Sequence, residues 1–129
     1  MRNSAIGVFL LVFVAGLMIS PAHAQSKYPT ISYKKAGDYV DQIVRVQGTI
    51  LKIKKTAAGG YLFFNNNESK YVRVLIPTDY LQNFEGALKY RYVGKKVEVL
   101  AKVQQDGHRL LLVVGKPKYI KVITEEEAT

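Results

Sequence analysis

The stretch YLFFNNNESKYVRVLIP, residues 61–77, constrains the fold more than any other part of the chain. Two apolar runs flank NNNESK, a segment made of turn-forming residues. The pattern reads as a β-hairpin, whose side chains alternate between two faces. Val72, Val74 and Ile76 are β-branched or uniformly apolar and are assigned to the core, so Tyr71 and Arg73 point outward. The same polarity argument sets Leu62 and Phe64 inward and Tyr61 and Phe63 outward, although Phe63 suits the core equally well. An ordinary half-buried hairpin has a polar outer face. Here that face carries aromatics beside an arginine.

The rest of the chain is mostly strand-like. Residues 43–53 (IVRVQGTILKI) alternate, with a switch of phase near Gly48 that predicts a bulge or bend. KKTAAGG is the expected turn before the hairpin, with Gly59-Gly60 as its clearest signal. After Pro77 the period changes. Thr78 can cap a helix, Asp79 suits its first turn, and Leu81, Phe84 and Leu88 share one helical face up to the region of Gly86. A strand in YVGKKVEVLAKVQQ follows, then a turn at Asp106-Gly107, then RLLLVVG and a short extended YIKVI. A short helical turn capped by Ser32 is expected in SYKKAGDY. YVDQIVRVQG (39–48) is weakly echoed by YVGKKVEVLA (92–101), which we read as two strands entering one barrel in similar ways.

Order and length fix the fold class: strand, strand, strand, short helix, strand, strand. This is an all-β chain with one short helix, expected as a five-stranded Greek-key barrel. It resembles the OB-fold, in particular the small nucleic-acid-binding type of transfer-RNA anticodon-binding and helicase accessory domains. The matching residues are V-x-V-x-G-x-I from Val44 to Ile50, YLFFN (61–65), VLIP (74–77), YLQNF (80–84) and YVGKKVEV (92–99). The likeness spans nearly all of residues 31–123 and departs at Val114-Gly115-Lys116, where polar residues are common in the family.

The N-terminus sets the expected location. Arg2 precedes an unbroken apolar run from 5 to 19, and Ala22-His23-Ala24 fits a cleavage site. This is the pattern of a secretory signal peptide, and the run is short of the roughly 20 residues of a membrane span. The expected organisation is a signal peptide over 1–24, a lead-in over 25–30, the OB domain over 31–123 and an acidic tail over 124–129. The protein is therefore expected to be exported, periplasmic or extracellular, with no membrane span after cleavage. The chain has no cysteine, so packing alone must stabilise it where disulfides would be allowed.

Of the 19 Lys and Arg, only Arg2 leaves with the signal, so 18 face 10 acids, a net charge of +8. Three of those acids are Glu125, Glu126 and Glu127 in the tail. A basic body implies an anionic partner: nucleic acid, lipid headgroups or acidic polysaccharide.

Catalytic chemistry is not legible. Beyond the signal the only histidine is His108, in an expected turn, and no second histidine or cysteine exists to complete a zinc site. Asp38, Asp41, Glu68, Asp79, Glu85, Glu98 and Asp106 show no metal-ligand spacing, and Gly59-Gly60 lacks the lysine and hydroxyl of a phosphate loop. Some OB-fold proteins are secreted nucleases, but their carboxylate set cannot be placed here. The haem-chaperone branch needs a C-terminal histidine that YIKVITEEEAT lacks. The expectation is a non-catalytic binding module without cofactor or metal.

The resemblance implies where it binds. OB-folds take ligands on the face of strands 2 and 3, between two flanking loops. That places Tyr61, Phe63, Tyr71 and Arg73 on the face, Lys54 and Lys55 in one loop, and His108 and Arg109 in the other. Rings beside cations suit single-stranded nucleic acid, whose bases stack while phosphates meet the charges. An envelope protein or another anionic polymer is the alternative partner.

Overall fold

The computed structural model describes residues 27–123. The expected signal peptide, the first two residues of the lead-in and the acidic tail lie outside the described residues. Eight strands form one sheet: β1 (Thr30–Ser32), β2 (Ile43–Thr49), β3 (Lys52–Thr56), β4 (Gly59–Phe63), β5 (Val72–Pro77), β6 (Lys96–Asp106), β7 (Arg109–Val113) and β8 (Ile120–Val122). The order is β1-β2-β6-β7-β5-β4-β3, with β8 paired to β6. All β pairings are antiparallel except β1 with β2 and β5 with β7.

This corrects the expected five-stranded barrel. The hydrogen-bonded path is open, with β1 at one end and β3 at the other. The long first strand is divided because it changes partner: β2 follows β6 as far as Thr49↔Lys96, and β3 takes up β4 at Lys52↔Phe63. Ile50 and Leu51 make the transfer, Ile50 bridging to Val93. Just before it, a Cβ on Gly48 would lie 2.6 Å from Phe64 and 2.8 Å from Tyr33, so the strand passes over these rings with no room for a side chain. Short β1 and β8 complete the count at the edges. The fold is mostly β and OB-like.

Gly59 and Gly60 lie inside β4 rather than in the preceding turn, which is Ala57-Ala58. Gly59 has φ +141°, and a Cβ there would stand 2.1 Å from the Ile76 carbonyl oxygen. The expected single helix is also divided. Thr78–Asn83 is a 3-10 helix with Pro77, not Thr78, at its N-cap, and α1 (Leu88–Tyr92) is a separate short α-helix. Gly86 between them has φ +71°, which interrupts a continuous helix. Leu81, Phe84 and Leu88 still pack on the core as one stripe. Ser32 caps a 3-10 helix over Tyr33–Tyr39, its hydroxyl accepting from the Lys34 amide.

The core sits on one side of the sheet. One register row runs Ile53, Leu62, Val74, Leu112 and Val103 across β3, β4, β5, β7 and β6. All five belong to or pack on the hydrophobic cluster, together with Val72, Ile76 and Phe64. Every residue of the two neighbouring rows on these strands therefore points the other way. Among the described residues no helix is long and apolar enough to cross a membrane.

Candidate nucleic-acid interface

The outward rows are built by register. Lys52 pairs with Phe63, Phe63 with Arg73, and Arg73 with Leu111. One step along, Lys54 pairs with Tyr61 and Tyr61 with Leu75. Cross-strand partners share a face. The β3–β5 surface thus carries two rings flanked by cations on both sides.

The cations lie on the rings. The Arg73 guanidinium is 5.6 Å from the Tyr61 ring centre and 5.7 Å from that of Phe63, and Lys52 Nζ is 5.6 Å from Phe63. The two rings stack on each other at 6.2 Å with 28° between planes. This resolves Phe63: it is 3% exposed, yet it stands outside the hydrophobic cluster. Its cover is Arg73, Lys52 and Tyr61, not core side chains.

Arg73 is unusual in its burial, at 6% exposed. It makes no hydrogen bond or ion pair among the described residues, and its Nε is buried without a partner. Burial pushes its pKa down, and the nearby Arg109 charge adds to that. Arg73, Arg109, Lys54, Tyr61, Phe63, Thr56, Glu68 and Ser69 line one cavity of about 180 Å³. The Glu68 carboxylate reaches over from the β4–β5 connection and binds Lys52 at 2.9 Å and Lys54 at 3.2 Å. These lysine contacts hold its pKa below the usual 4.5.

Of the residues expected to form the site, five converge: Tyr61, Phe63, Arg73, Lys54 and Arg109. Three do not. Tyr71 has φ +62°, so it stands before β5 begins at Val72 and breaks the alternation that would have placed it beside Arg73. Its ring meets Tyr33 edge-on at 5.5 Å, and Tyr33 stacks on Phe64 at 5.0 Å. Lys55 alternates with Lys54 and lines a different cleft with Leu88, Lys89 and Val93, which Lys52 also borders. His108 is exposed in the β6–β7 turn and lines no part of the cavity. Lys54 itself is on strand β3, not in a loop. The residues missed are Lys52 and Glu68. Lys52 was detectable, since it stands two before Lys54 on one strand and must share its face. Glu68 was not, because its position depends on how the turn folds.

The ladder order and this aromatic–cationic surface define an OB-like β-domain with one built outer face. One solved structure shares the fold. A Leishmania major Friedlin protein assigned as an aspartyl-tRNA synthetase matches at TM-score 0.53 and 17% identity, over 80% of this chain and 22% of that one. The chain thus spans about a fifth of that protein. Replication protein A of U. maydis bound to ssDNA matches at TM-score 0.40 and 22% identity, over 79% and 78% of the two chains. A Klebsiella pneumoniae protein assigned as a nucleic acid-binding lipoprotein matches at TM-score 0.46 and 18% identity, over 80% and 98%. No family model and no curated protein matches the chain. Among the described residues no group of three or more His, Cys, Asp or Glu is placed to hold a metal ion.

Proposed function

We propose that the protein is an exported, non-catalytic OB-like module that binds single-stranded nucleic acid on the β3–β5 face. The observation that carries this reading is Arg73, buried against the Tyr61 and Phe63 rings with no acceptor among the described residues. A guanidinium nitrogen buried without a partner is costly, and an anionic ligand that meets the group offsets the loss. Tyr61, half-exposed beside it, offers a ring for a base to stack on. Stacking is worth about 1–3 kcal/mol per base and suits any sequence.

The test is fluorescence anisotropy with labelled single-stranded oligonucleotides over a salt series. Two or three neutralised phosphates give a log–log salt slope of roughly −1.5 to −2. Tyr61→Ala is expected to weaken binding about tenfold, the lower part of the stacking range. Heparin competing as well as oligonucleotide, with no effect of Tyr61→Ala, would favour a general polyanion or envelope partner instead.

A further inference from the structure

The four cations around the β3–β5 face are not equally matched. Lys52 and Lys54 share the Glu68 carboxylate. Glu68 is brought there by a folded turn, in which Asn67 Oδ1 accepts from the Ser69 amide at 3.0 Å and the Asn67 carbonyl accepts from the Lys70 amide at 3.0 Å. Lys52 also donates to the Asn66 carbonyl at 3.3 Å, which ties β3 to the same turn. Arg73 and Arg109, by contrast, have no carboxylate within 4.0 Å among the described residues. Both line the cavity that Glu68 borders, together with the hydroxyl-bearing Thr56 and Ser69. One wall is closed by the Tyr61 and Phe63 rings.

We infer that this cavity is a subsite for one terminal phosphate group, and that Glu68 is the internal carboxylate the phosphate displaces from Lys54. Three features favour a phosphate monoester over an internal phosphodiester. A monoester dianion matches two unpaired guanidinium groups, and arginine forks suit its oxygens. It is attached at one point only, which a pocket walled by two rings admits more readily than a chain that must enter and leave. Its extra charge also competes better with the carboxylate already on the lysines. Glu68 thereby sets a threshold: weak anions leave the turn closed over the face, and a phosphate terminus opens it. The inference rests on the nucleic-acid reading only for the source of the phosphate.

The test compares two labelled oligonucleotides of one sequence, with a phosphate or a hydroxyl at the 5′ end, and a second pair differing at the 3′ end. Thermal melts with inorganic phosphate run alongside. Arg109 is exposed, so Arg109→Gln leaves folding intact. The wild type is expected to prefer a phosphorylated end about tenfold. Arg109→Gln should abolish the preference, and Glu68→Gln should strengthen binding roughly threefold to tenfold. Equal binding of both ends, or no gain in Glu68→Gln, overturns the inference while leaving oligonucleotide binding intact. No oligonucleotide binding, with stabilisation by inorganic phosphate that Arg109→Gln removes, keeps the subsite and overturns the nucleic-acid reading. No response to either ligand overturns both.

Discussion

Gly59 shows how tightly single residues are held in this fold. Its φ of +141° and the 2.1 Å approach to the Ile76 carbonyl leave no room for a Cβ. Gly59→Ala is expected to cost roughly 2–4 kcal/mol, read from the denaturation midpoint, because β4 must separate from β5 to admit the methyl. Glu68 is testable by acid. Its folded pKa lies below the ordinary 4.5, through Lys52 first and Lys54 next. A depressed carboxylate stabilises above its unfolded value, and the contribution is lost as pH falls through the lowered folded value. The melting difference between wild type and Glu68→Gln is therefore expected to be small at pH 7 and to vanish as pH falls through the lowered folded value. A difference that persists once Glu68 is protonated in the folded protein would show that it acts by some contact other than charge. At this scale the sequence revealed what alternation governs. Arg73 was readable as outward because Val72, Val74 and Ile76 fix the phase of β5. Tyr61 and Phe63 in β4 rested on the weaker polarity argument, and Phe63 suited the core equally well. Tyr71 was misplaced by one positive φ, which no periodicity reports. Arg73 was readable as outward but not as buried, since its cover comes from β4 and β3.

At the scale of elements, the weak echo between residues 39–48 and 92–101 has a structural meaning. Val40 bridges Val103 and Val93 bridges Ile50, so the two segments enter opposite ends of the β2–β6 ladder in the same way. The residue after each valine has positive φ: Asp41 at 70° and Gly94 at 83°. Each amide then donates across the ladder, Asp41 to the Val103 carbonyl at 2.8 Å and Gly94 to that of Ile50 at 2.7 Å. Side chains cost about 1–2 kcal/mol in this conformation, and glycine does not. Gly94→Ala is expected to destabilise by about 1 kcal/mol, while Asp41→Gly is neutral or stabilising by less than about 1 kcal/mol, both by chemical denaturation. Equal effects in the same direction would contradict the assignment. The longer strands were legible in order and nearly in extent, because each run is bounded by glycine, proline or a polar turn, whereas β1 (Thr30–Ser32) falls at the end of what reads as a polar lead-in. The short helix that stops before Gly86 was legible too. Its 3-10 form was not, nor was the separate helix over Leu88–Tyr92, because Leu81, Phe84 and Leu88 all reach the core whether or not Gly86 divides them. The partner change at Ile50-Leu51 was likewise hidden: one continuous alternating run serves two ladders.

For the whole molecule the dominant fact is charge. The full chain carries a net +9. Among the described residues only Arg45, Lys52, Lys54 and Lys121 lie within 4.0 Å of a carboxylate, and they share just Glu98 and Glu68. Exposed pairs of this kind contribute little to stability and are screened by salt. The remaining cations form a field that favours polyanions, and on the proposed function the β3–β5 face supplies the groups that hold one. Export belongs to the same proposal, and mass spectrometry of the exported protein is expected to find Gln25 at its N-terminus. The central claim is tested most directly by one titration: single-stranded oligonucleotide against wild type and Tyr61→Ala from low to physiological salt. The account predicts binding that weakens along a log–log slope of roughly −1.5 to −2 and falls about tenfold further in Tyr61→Ala. Absence of binding at low salt, or binding indifferent to Tyr61, would contradict it.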